Sequence, residues 1–370
     1  MIKKLVNLIN YYKVKRHNLY KELDFFYEIP PKKISEVENY DFKLKIIKEI
    51  INFNKQCNIF YENLKINKEL KIGGTWKNYM LKVKKEQINA FLKNDANELI
   101  LLYESMFYNC LIKGFLPYSY FEDIKFNNSA ILNFLKDLDV YKVLFKNFDK
   151  LPMKNGIKKW GYQQKNNKIH FGALKSIIEK DLILNSHKLL NNRKKINILE
   201  IGSGYGALAE RLFEDDKVNS LILTDIPSSL TTAYYYLSSL YGLDKVKIFS
   251  SVEGIKKHFK LDEKKILLIP TCYYDQIKNF QNVELLCNFS SFSEMDFDTI
   301  KYYLNNLPNE IKLIVSSNNN DETFRQDHHE VIMDRLPIPT EFDLVFSSIR
   351  MPFFVNWRYK TCIWFKKNNF

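Results

Sequence analysis

Residues 198–212 read ILEIGSGYGALAERL, a short apolar strand that runs into three glycines and then into an amphipathic helix. Glycines at the tip of a strand–turn–helix unit let the backbone turn sharply and approach a ligand without a Cβ in the way. A second apolar strand, LILTD at 221–225, follows about twenty residues later and ends in Asp225. An acid at the tip of the neighbouring strand can accept hydrogen bonds from both hydroxyls of a ribose. Together they predict a nucleoside cofactor site at the carboxyl edge of a parallel sheet.

The residue two positions before the first glycine distinguishes two classes of cofactor. Gly202, Gly204 and Ala207 fit the G-x-G-x-x-G/A pattern of dinucleotide-binding proteins, so a nicotinamide cofactor is one alternative. Glu200, however, stands in a strand that dinucleotide-binding enzymes usually keep apolar. A carboxylate there suits a ligand that has an ammonium group and no pyrophosphate, and S-adenosylmethionine carries that group at its methionine end. The E-x-G-x-G-x-G form therefore favours a methyltransferase.

The composition is that of a globular protein from a reducing compartment. The five cysteines, at 57, 110, 272, 287 and 362, are widely spaced and form no C-x-x-C motif, which argues against a disulfide framework and a zinc site. The apolar stretch near the N-terminus is too short for a signal peptide, and no run approaches membrane-spanning length. We therefore expect a cytoplasmic protein without a transmembrane segment, for which peripheral membrane contact stays an alternative.

Basic residues are concentrated in the half of the chain that precedes the glycine motif. Residues 1–195 contain 37 Lys and Arg against 20 Asp and Glu, whereas residues 196–370 contain 19 against 23. One interpretation is lysine enrichment of solvated helices without a binding role. The other is a domain that handles an anionic molecule, such as a nucleotide-linked sugar, an acidic glycan, a membrane surface or RNA.

Apolar periodicity divides the chain into two parts. Residues 1–172 are predicted to form a mainly helical, basic domain that binds the acceptor or acts as a lid, with helical segments near 36–55, 78–113 and 129–148 and a polar connector at 151–172. Residues 173–370 are predicted to form the cofactor-binding domain, beginning with a helix at 173–191. Strands are expected at 197–201, 221–225, 266–270, 283–288, 312–317, 342–348 and 361–366, and either 246–250 or 266–270 is the third. Because no helix separates the last two, they are expected to pair antiparallel at the sheet edge.

Several segments resemble the sugar O-methyltransferases found among bacterial surface-polysaccharide genes. They are IGSGYG at 201–206, TDIPSSL at 224–230, TTAYYYLSSLYG at 231–242, NFSSFSEM at 288–295, the Tyr302–Tyr303 pair and SSN at 316–318. The match covers roughly residues 170–320, and Asn-x-x-Ser-x-x-Glu-Met is its specific part. Ser203 departs from the family, which tends to have a further glycine there. The resemblance implies a Rossmann-like class I methyltransferase fold, S-adenosylmethionine and a sugar hydroxyl as acceptor.

We expect the cofactor to contact the glycine loop and the ends of three strands: Glu200, Gly202, Ser203, Gly204, Tyr205, Gly206, Asp225, Ile226 and Asn288. Of three consecutive tyrosines on the following helix, 234–236, at most two are expected to share a face. One of them is expected to pack in the core and another to approach the adenosine of the cofactor.

The chemistry expected at such a site is an in-line displacement, in which positioning dominates and a base takes the proton of the acceptor hydroxyl. Asn288 ends the fourth strand and is expected to orient the acceptor oxygen or hydrogen-bond the cofactor. Glu294 is a candidate base or sugar ligand, although Ser291 to Glu294 also fits an S-x-x-E capping box, the favoured interpretation. His328 and His329 are candidate bases in a polar segment expected to overhang the site; an exposed pair is the simpler interpretation of either one. We predict no metal.

Two other classes of function stay open. An RNA methyltransferase would explain the basic half, but CNFSSF at 287–292 is not the Asn/Asp-Pro-Pro-aromatic motif used on base amino groups, and no known RNA-binding module precedes it. Nucleic acid is therefore not the expected partner. A non-catalytic scaffold that retains the fold is disfavoured by the intact cofactor motif. The expected acceptor is a sugar, a nucleotide-sugar or a glycan.

Overall fold

The computed structural model describes residues 24–57, 85–109, 111, 157, 159–164, 167–170, 173–190, 195–320, 331–348 and 359–367. Its helices are α1 (Tyr40–Cys57), α2 (Lys85–Lys93), α3 (Ala96–Glu104), α4 (Ala173–Lys188), α5 (Ala207–Phe213), α6 (Pro227–Tyr241), α7 (Val252–Lys256) and α8 (Phe297–Asn305). Its strands are β1 (Asp24–Tyr27), β2 (Trp160–Gln164), β3 (Asn167–His170), β4 (Ile196–Ile201), β5 (Val218–Asp225), β6 (Val246–Ile248), β7 (Ile266–Pro270), β8 (Val283–Phe289), β9 (Leu313–Asn319), β10 (Phe342–Ser348) and β11 (Tyr359–Lys366). Short 3₁₀ helices cover Ile34–Glu36, Thr271–Asn279, Phe292–Glu294 and Met333–Arg335.

Within the described residues, eight strands form one sheet in the order β10-β11-β9-β8-β4-β5-β7-β6. Neighbouring strands from β6 across to β9 are parallel, whereas β11 runs antiparallel to β9 and β10 antiparallel to β11. Strands β4, β7 and β9 are buried along their whole length, as expected of a parallel sheet covered on both faces. The predicted Rossmann-like, doubly wound sheet, with its antiparallel C-terminal pair, is confirmed.

Both candidates for the third strand are strands of this sheet. Residues 266–270 pair with β5, in a register that places Pro270 opposite Asp225. Residues 246–248 pair with the outer side of β7 and form the edge. The strand that lies beside the Asp225 strand is therefore the later of the two.

The strand order reverses at β4, because β5 lies on one side of it and β8 on the other. The crevice outside the carboxyl ends of strands at such a reversal is where open α/β sheets bind their ligands. The residues that end these strands, Ile201, Asp225 and Phe289, therefore mark the edge at which a site is expected.

The N-terminal part differs in two details from the prediction. The helical segment predicted at 78–113 is two helices, α2 and α3, because Asn94 takes a left-handed φ of 52° and Asp95 caps α3 by accepting a hydrogen bond from Glu98 N at 2.9 Å. The stretch predicted as a connector at 151–172 contains the β2–β3 hairpin, which pairs antiparallel with β1. The segment predicted as a helix near 129–148 lies outside the described residues.

The N-terminal helices pack on α6, so that all three consecutive tyrosines of that helix are buried. Their hydroxyls donate hydrogen bonds to carboxylates on three different helices: Tyr234 to Glu49, Tyr235 to Glu104 at 2.6 Å and Tyr236 to Glu210 at 2.6 Å. The prediction that one of these tyrosines packs in the core is confirmed, and the other two are buried as well. Helices α1 and α3 cover the side of α6 that would otherwise face solvent, so the third ring is buried as well.

Lys159, the residue before β2, is buried and its side chain reaches the centre of this core. Lys159 Nζ donates a hydrogen bond to Tyr236 Oη at 2.7 Å and lies 5.5 Å from the Phe107 ring centroid. Burial lowers the pKa of Lys159, and the nearby Glu210 carboxylate opposes that shift. The rings of Phe107 and Tyr236 also meet Tyr205 of the glycine loop edge to face, at 5.6 and 5.5 Å between centroids. The N-terminal part therefore contacts the glycine loop through aromatic packing.

An ion cluster ties α4 to the opposite, amino-terminal end of the sheet. The His187 ring, whose Nε2 lies 3.9 Å from Glu284 Oε2, and then a hydrogen bond from Lys312 lower the pKa of Glu284 to about 2. Lys312 Nζ lies 2.7 Å from Glu284 Oε1.

In the described part of the chain, no helix has the length and apolarity needed to cross a lipid bilayer.

Candidate active site

The three glycines of the 202–206 loop all have left-handed φ angles, of 75°, 57° and 87°. A Cβ on Gly202 would lie 2.0 Å from Ser291 Oγ, and one on Gly206 would lie 2.8 Å from Leu237 Cδ1. A Cβ on Gly204 would meet no described heavy atom within 4 Å. The outer glycines therefore let the loop pack against its neighbours, whereas the middle glycine faces open space that a ligand can approach.

Asp225 lies at the tip of β5 directly beside this loop. Its Oδ2 accepts a hydrogen bond from Gly204 N at 2.8 Å, and its Oδ1 accepts one from Ile226 N at 2.6 Å. The structure thus brings together the glycine loop and the acid that the sequence predicts as its partner. A carboxylate fixed in this way has the position expected of a ribose ligand.

Glu200 is buried in β4, with 4% of its surface exposed. Its Oε2 has no hydrogen-bond partner among the described residues. Burial, followed by the nearby Glu179 and Asp225 carboxylates, raises the pKa of Glu200 to about 8. A buried carboxylate is costly unless a cation or a donor pairs with it, so this side chain suits a ligand that brings a positive charge.

Two further buried oxygens lie next to the same loop without a described partner. They are Ser203 Oγ, inside the glycine motif, and Thr224 Oγ1, one residue before Asp225. Buried hydroxyls normally form hydrogen bonds, so unpartnered ones beside a glycine loop fit a polar ligand. Tyr205 and Ile226, both half-buried, are two more of the predicted contacts. Contact of any of these residues with a cofactor stays a prediction.

Asn288 links β4, the strand before the glycine loop, to the loop that follows β8. The side chain is fully buried, and its Nδ2 donates to Ile201 O at 2.8 Å and to Ser291 Oγ. Its Oδ1 accepts from Asn318 Nδ2 at 2.8 Å and from Phe292 N at 3.3 Å. The amide is therefore engaged by protein groups on both sides and positions the two loops. Its direct contact with cofactor or acceptor stays a prediction.

The capping-box interpretation of residues 291–294 is wrong. Ser291 forms no side-chain cap; its Oγ instead donates to Ile201 O at 3.2 Å. The physical reason is the missing Cβ of Gly202, which leaves the space that the Ser291 side chain occupies. Glu294 is half-buried at the end of the 3₁₀ turn, and its role as base or sugar ligand stays a prediction.

The other two candidate bases, His328 and His329, lie outside the described residues. Within the part that the structure covers, no group of three or more His, Cys, Asp or Glu side chains has an arrangement that could hold a metal ion.

Helix α4 contributes two charged residues that the sequence analysis missed. Lys175 Nζ donates to Ser290 Oγ at 3.0 Å and lies 3.6 Å from Glu179 Oε1. Glu179 is 3% exposed, and its burial raises its pKa to about 7 against the opposing effect of Lys175. In the sequence, Lys175 and Glu179 form a Lys-x-x-x-Glu pair on the helix before β4. Such pairs usually lie on solvated helix faces, so this one does not indicate a buried site.

The sequence matches no protein-family model and no curated protein. Solved structures with a similar fold include the small RNA methyltransferase HEN1, with a TM-score of 0.34 and 15% identity over 51% of this chain and 25% of that one. The mitomycin 7-O-methyltransferase MmcR has a TM-score of 0.32 and 9% identity over 52% and 56% of the two chains. TrmK of M. capricolum, solved with S-adenosyl-homocysteine, has a TM-score of 0.26 and 15% identity over 50% and 68%. At such values neither substrate nor activity transfers, and the fold assignment rests on the strand order itself.

Proposed function

We propose that this chain is an S-adenosylmethionine-dependent methyltransferase. The observation that carries the proposal is the buried, unpartnered Glu200 carboxylate at a glycine loop whose middle residue, Gly204, faces open space beside Asp225. A dinucleotide brings a pyrophosphate, which a buried carboxylate would repel. S-adenosylmethionine instead brings an ammonium group for Glu200 and a ribose for Asp225.

The residues present fit the ammonium group and the ribose of this cofactor. Glu200 would hold the ammonium group, Asp225 the ribose hydroxyls, and the backbone around Gly204 would let the molecule lie against the loop. Ser203 Oγ and Thr224 Oγ1 supply further polar contacts. When bound, the cofactor supplies an electrophilic methyl group on a positively charged sulfur.

The acceptor proposed for the methyl group is a sugar hydroxyl, on a nucleotide-sugar or a surface glycan precursor in the cytoplasm. The support is the resemblance of residues 288–295 to the sugar O-methyltransferases and the place of this segment in the fold, directly after β8 at the carboxyl edge. Asn288 and Asn318 fix this loop against the glycine strand, so it offers a rigid wall for an acceptor.

The basic N-terminal part reaches the same edge of the sheet. At the end of α1, Gln56 accepts a hydrogen bond from Ser250, and the Cys57 thiol lies beside that of Cys272, just beyond the end of β7. We propose that residues 1–172 contribute the second wall of the acceptor cleft. An excess of lysine there would attract a nucleotide diphosphate or an acidic glycan at low salt.

The acceptor hydroxyl must lose its proton as the carbon–oxygen bond forms, and Glu294, His328 and His329 are the proposed bases. Alanine at each position separately should leave affinity for S-adenosylhomocysteine nearly unchanged. At least one of the three variants should lose turnover. If all three retain full activity, the base lies elsewhere and the 288–295 loop has a structural role.

The acceptor class is tested with a donor that carries an isotopically labelled methyl group. The full chain is incubated with separate pools of nucleotide-sugars, acidic oligosaccharides and RNA, and mass spectrometry locates the label. Label on a sugar oxygen supports the proposal. Label on RNA would replace the acceptor with the alternative considered above, and absence of label from every pool, with intact donor binding, would favour a scaffold.

A further inference from the structure

A second buried carboxylate lies beside the proposed ammonium ligand. Glu179 of α4 and Glu200 of β4 are 3% and 4% exposed. Among the described residues, Glu200 Oε2 has no hydrogen-bond partner, and Glu179 Oε1 forms an ion pair with Lys175 at 3.6 Å, beyond hydrogen-bond distance. The two acids are close enough for the charge of Glu179 to raise the pKa of Glu200. Burial raises the pKa of the Cys287 thiol on β8, the strand next to β4, and the charges of both carboxylates add to that rise.

Among the described residues, the charged and titratable groups that face this pair lie on α4, β5, β8 and the glycine loop. Lys175 lies on the same helix as Glu179, Asp225 ends β5, Cys287 lies on β8, and Tyr205 belongs to the glycine loop. Among these groups, only Lys175 is a cation. Its ammonium group is also bonded to Ser290 Oγ at 3.0 Å and lies 3.6 Å from Glu179, so it offsets part of the negative charge.

We propose that Glu179 and Glu200 together bind the α-ammonium group of S-adenosylmethionine, and that the pair releases a proton to solvent when the cofactor binds. This inference rests on the proposed function, because it assigns a second ligand to the same cofactor. It accounts for the presence of two neighbouring buried acids. If Glu200 alone bound the ammonium group, the burial of Glu179 beside it would have no explanation.

The proton balance follows from the repulsion between the two acids. Two neighbouring buried carboxylates do not both ionise near neutrality, so the free protein holds a proton on the pair. An ammonium group bound against both carboxylates favours their ionised forms, and the proton passes to the buffer. Free protein binds more protons than the complex, so cofactor affinity rises with pH until the free pair is itself fully ionised.

Calorimetry with S-adenosylhomocysteine, which retains the ammonium group, tests the inference on the full chain. Titrations at pH 7 in two buffers of different ionisation enthalpy count the protons released, and we expect a value approaching about one per ligand. Between about pH 6 and pH 8 the affinity should rise by up to about tenfold per pH unit.

Variants separate ammonium binding from a general effect on the loop. Glu179→Gln should weaken S-adenosylhomocysteine by about tenfold or more and release fewer protons, since one acid of the pair is gone. It should change the affinity for 5′-methylthioadenosine, which lacks the amino-acid part, by less than about twofold. Asp181→Asn, a half-buried acid on the same helix that pairs with Lys180, is the matched control and should bind both ligands as the wild type does.

The outcomes distinguish the two proposals. If wild-type protein binds neither ligand, the proposed function is wrong and this inference falls with it. If wild-type protein binds both ligands but releases no proton, or if Glu179→Gln weakens both ligands equally, the proposed function stands and the two-acid ammonium site is overturned.

Discussion

Alanine at two glycines of the same loop separates loop packing from ligand access. A Cβ on Gly202 would lie 2.0 Å from Ser291 Oγ and 2.3 Å from Ser291 Cβ, so Ser291 must move and give up its hydrogen bond to Ile201 O. A left-handed φ costs an L-residue about 1–2 kcal/mol, and forcing a packed neighbour aside costs about 1–3 kcal/mol. Gly202→Ala should therefore lower the free energy of unfolding by roughly 2–5 kcal/mol.

Gly204→Ala has the same backbone penalty as Gly202→Ala, but its added methyl group clashes with no described atom. Its φ is 57°, but its Cβ meets no described heavy atom within 4 Å. The fold should therefore lose only this backbone penalty of about 1–2 kcal/mol. The added methyl group, however, stands where the proposed cofactor passes. Affinity for S-adenosylhomocysteine should fall at least about tenfold, which equals 1.4 kcal/mol.

Urea unfolding measures the first effect and calorimetry with S-adenosylhomocysteine measures the second. The expected pattern is a large loss of stability in Gly202→Ala and a large loss of binding, with near-normal stability, in Gly204→Ala. Wild-type affinity in Gly204→Ala would refute the assignment of the loop to the cofactor. Wild-type stability in Gly202→Ala would refute the close packing of the loop on Ser291.

Three further outcomes are expected. Asp225→Ala should weaken S-adenosylhomocysteine by about 1–3 kcal/mol in calorimetry, the value for removing a charged hydrogen-bond partner, and unchanged affinity would exclude the ribose contact. Tyr236→Phe removes the hydroxyl between Lys159 and Glu210 and should lower the free energy of unfolding by about 2–3 kcal/mol in urea; a change within about 0.5 kcal/mol would show that the network is not stabilising. Because His187 and Lys312 lower the pKa of Glu284 to about 2, the contribution of this carboxylate to the free energy of unfolding is complete above about pH 4.5 and is lost as the pH falls toward 2. Glu284→Gln should therefore flatten the acid limb of the Tm–pH curve, and an unaltered limb would contradict this.

The sheet could be predicted closely from the sequence because each central strand is a continuous apolar run bounded by polar or turn residues. The position of the third strand could not, since 246–250 and 266–270 are both short apolar runs with the same local preference. Which of them lies beside Asp225 depends on pairing across the sheet, and local sequence does not encode that pairing.

Parts of the candidate site could be predicted where the residue type itself indicates the role. They could not be predicted where the role depends on which other residues pack nearby in the fold. The left-handed glycines and Asp225 belong to the first class. Ser291 belongs to the second: its spacing from Glu294 predicts a cap, but the space beside Gly202 draws it into the loop. Glu179 was missed for the same reason, because its burial depends on how α4 packs against the sheet.

The measurement that tests the central claim most directly is a crystal structure of the full chain with S-adenosylhomocysteine. It should show the ribose hydroxyls on Asp225, the amino-acid part passing Gly204, and the ammonium group against Glu200. A ligand bound elsewhere, or one that reaches this loop without contacting either acid, would contradict the assignment of this sheet edge to a methyl donor.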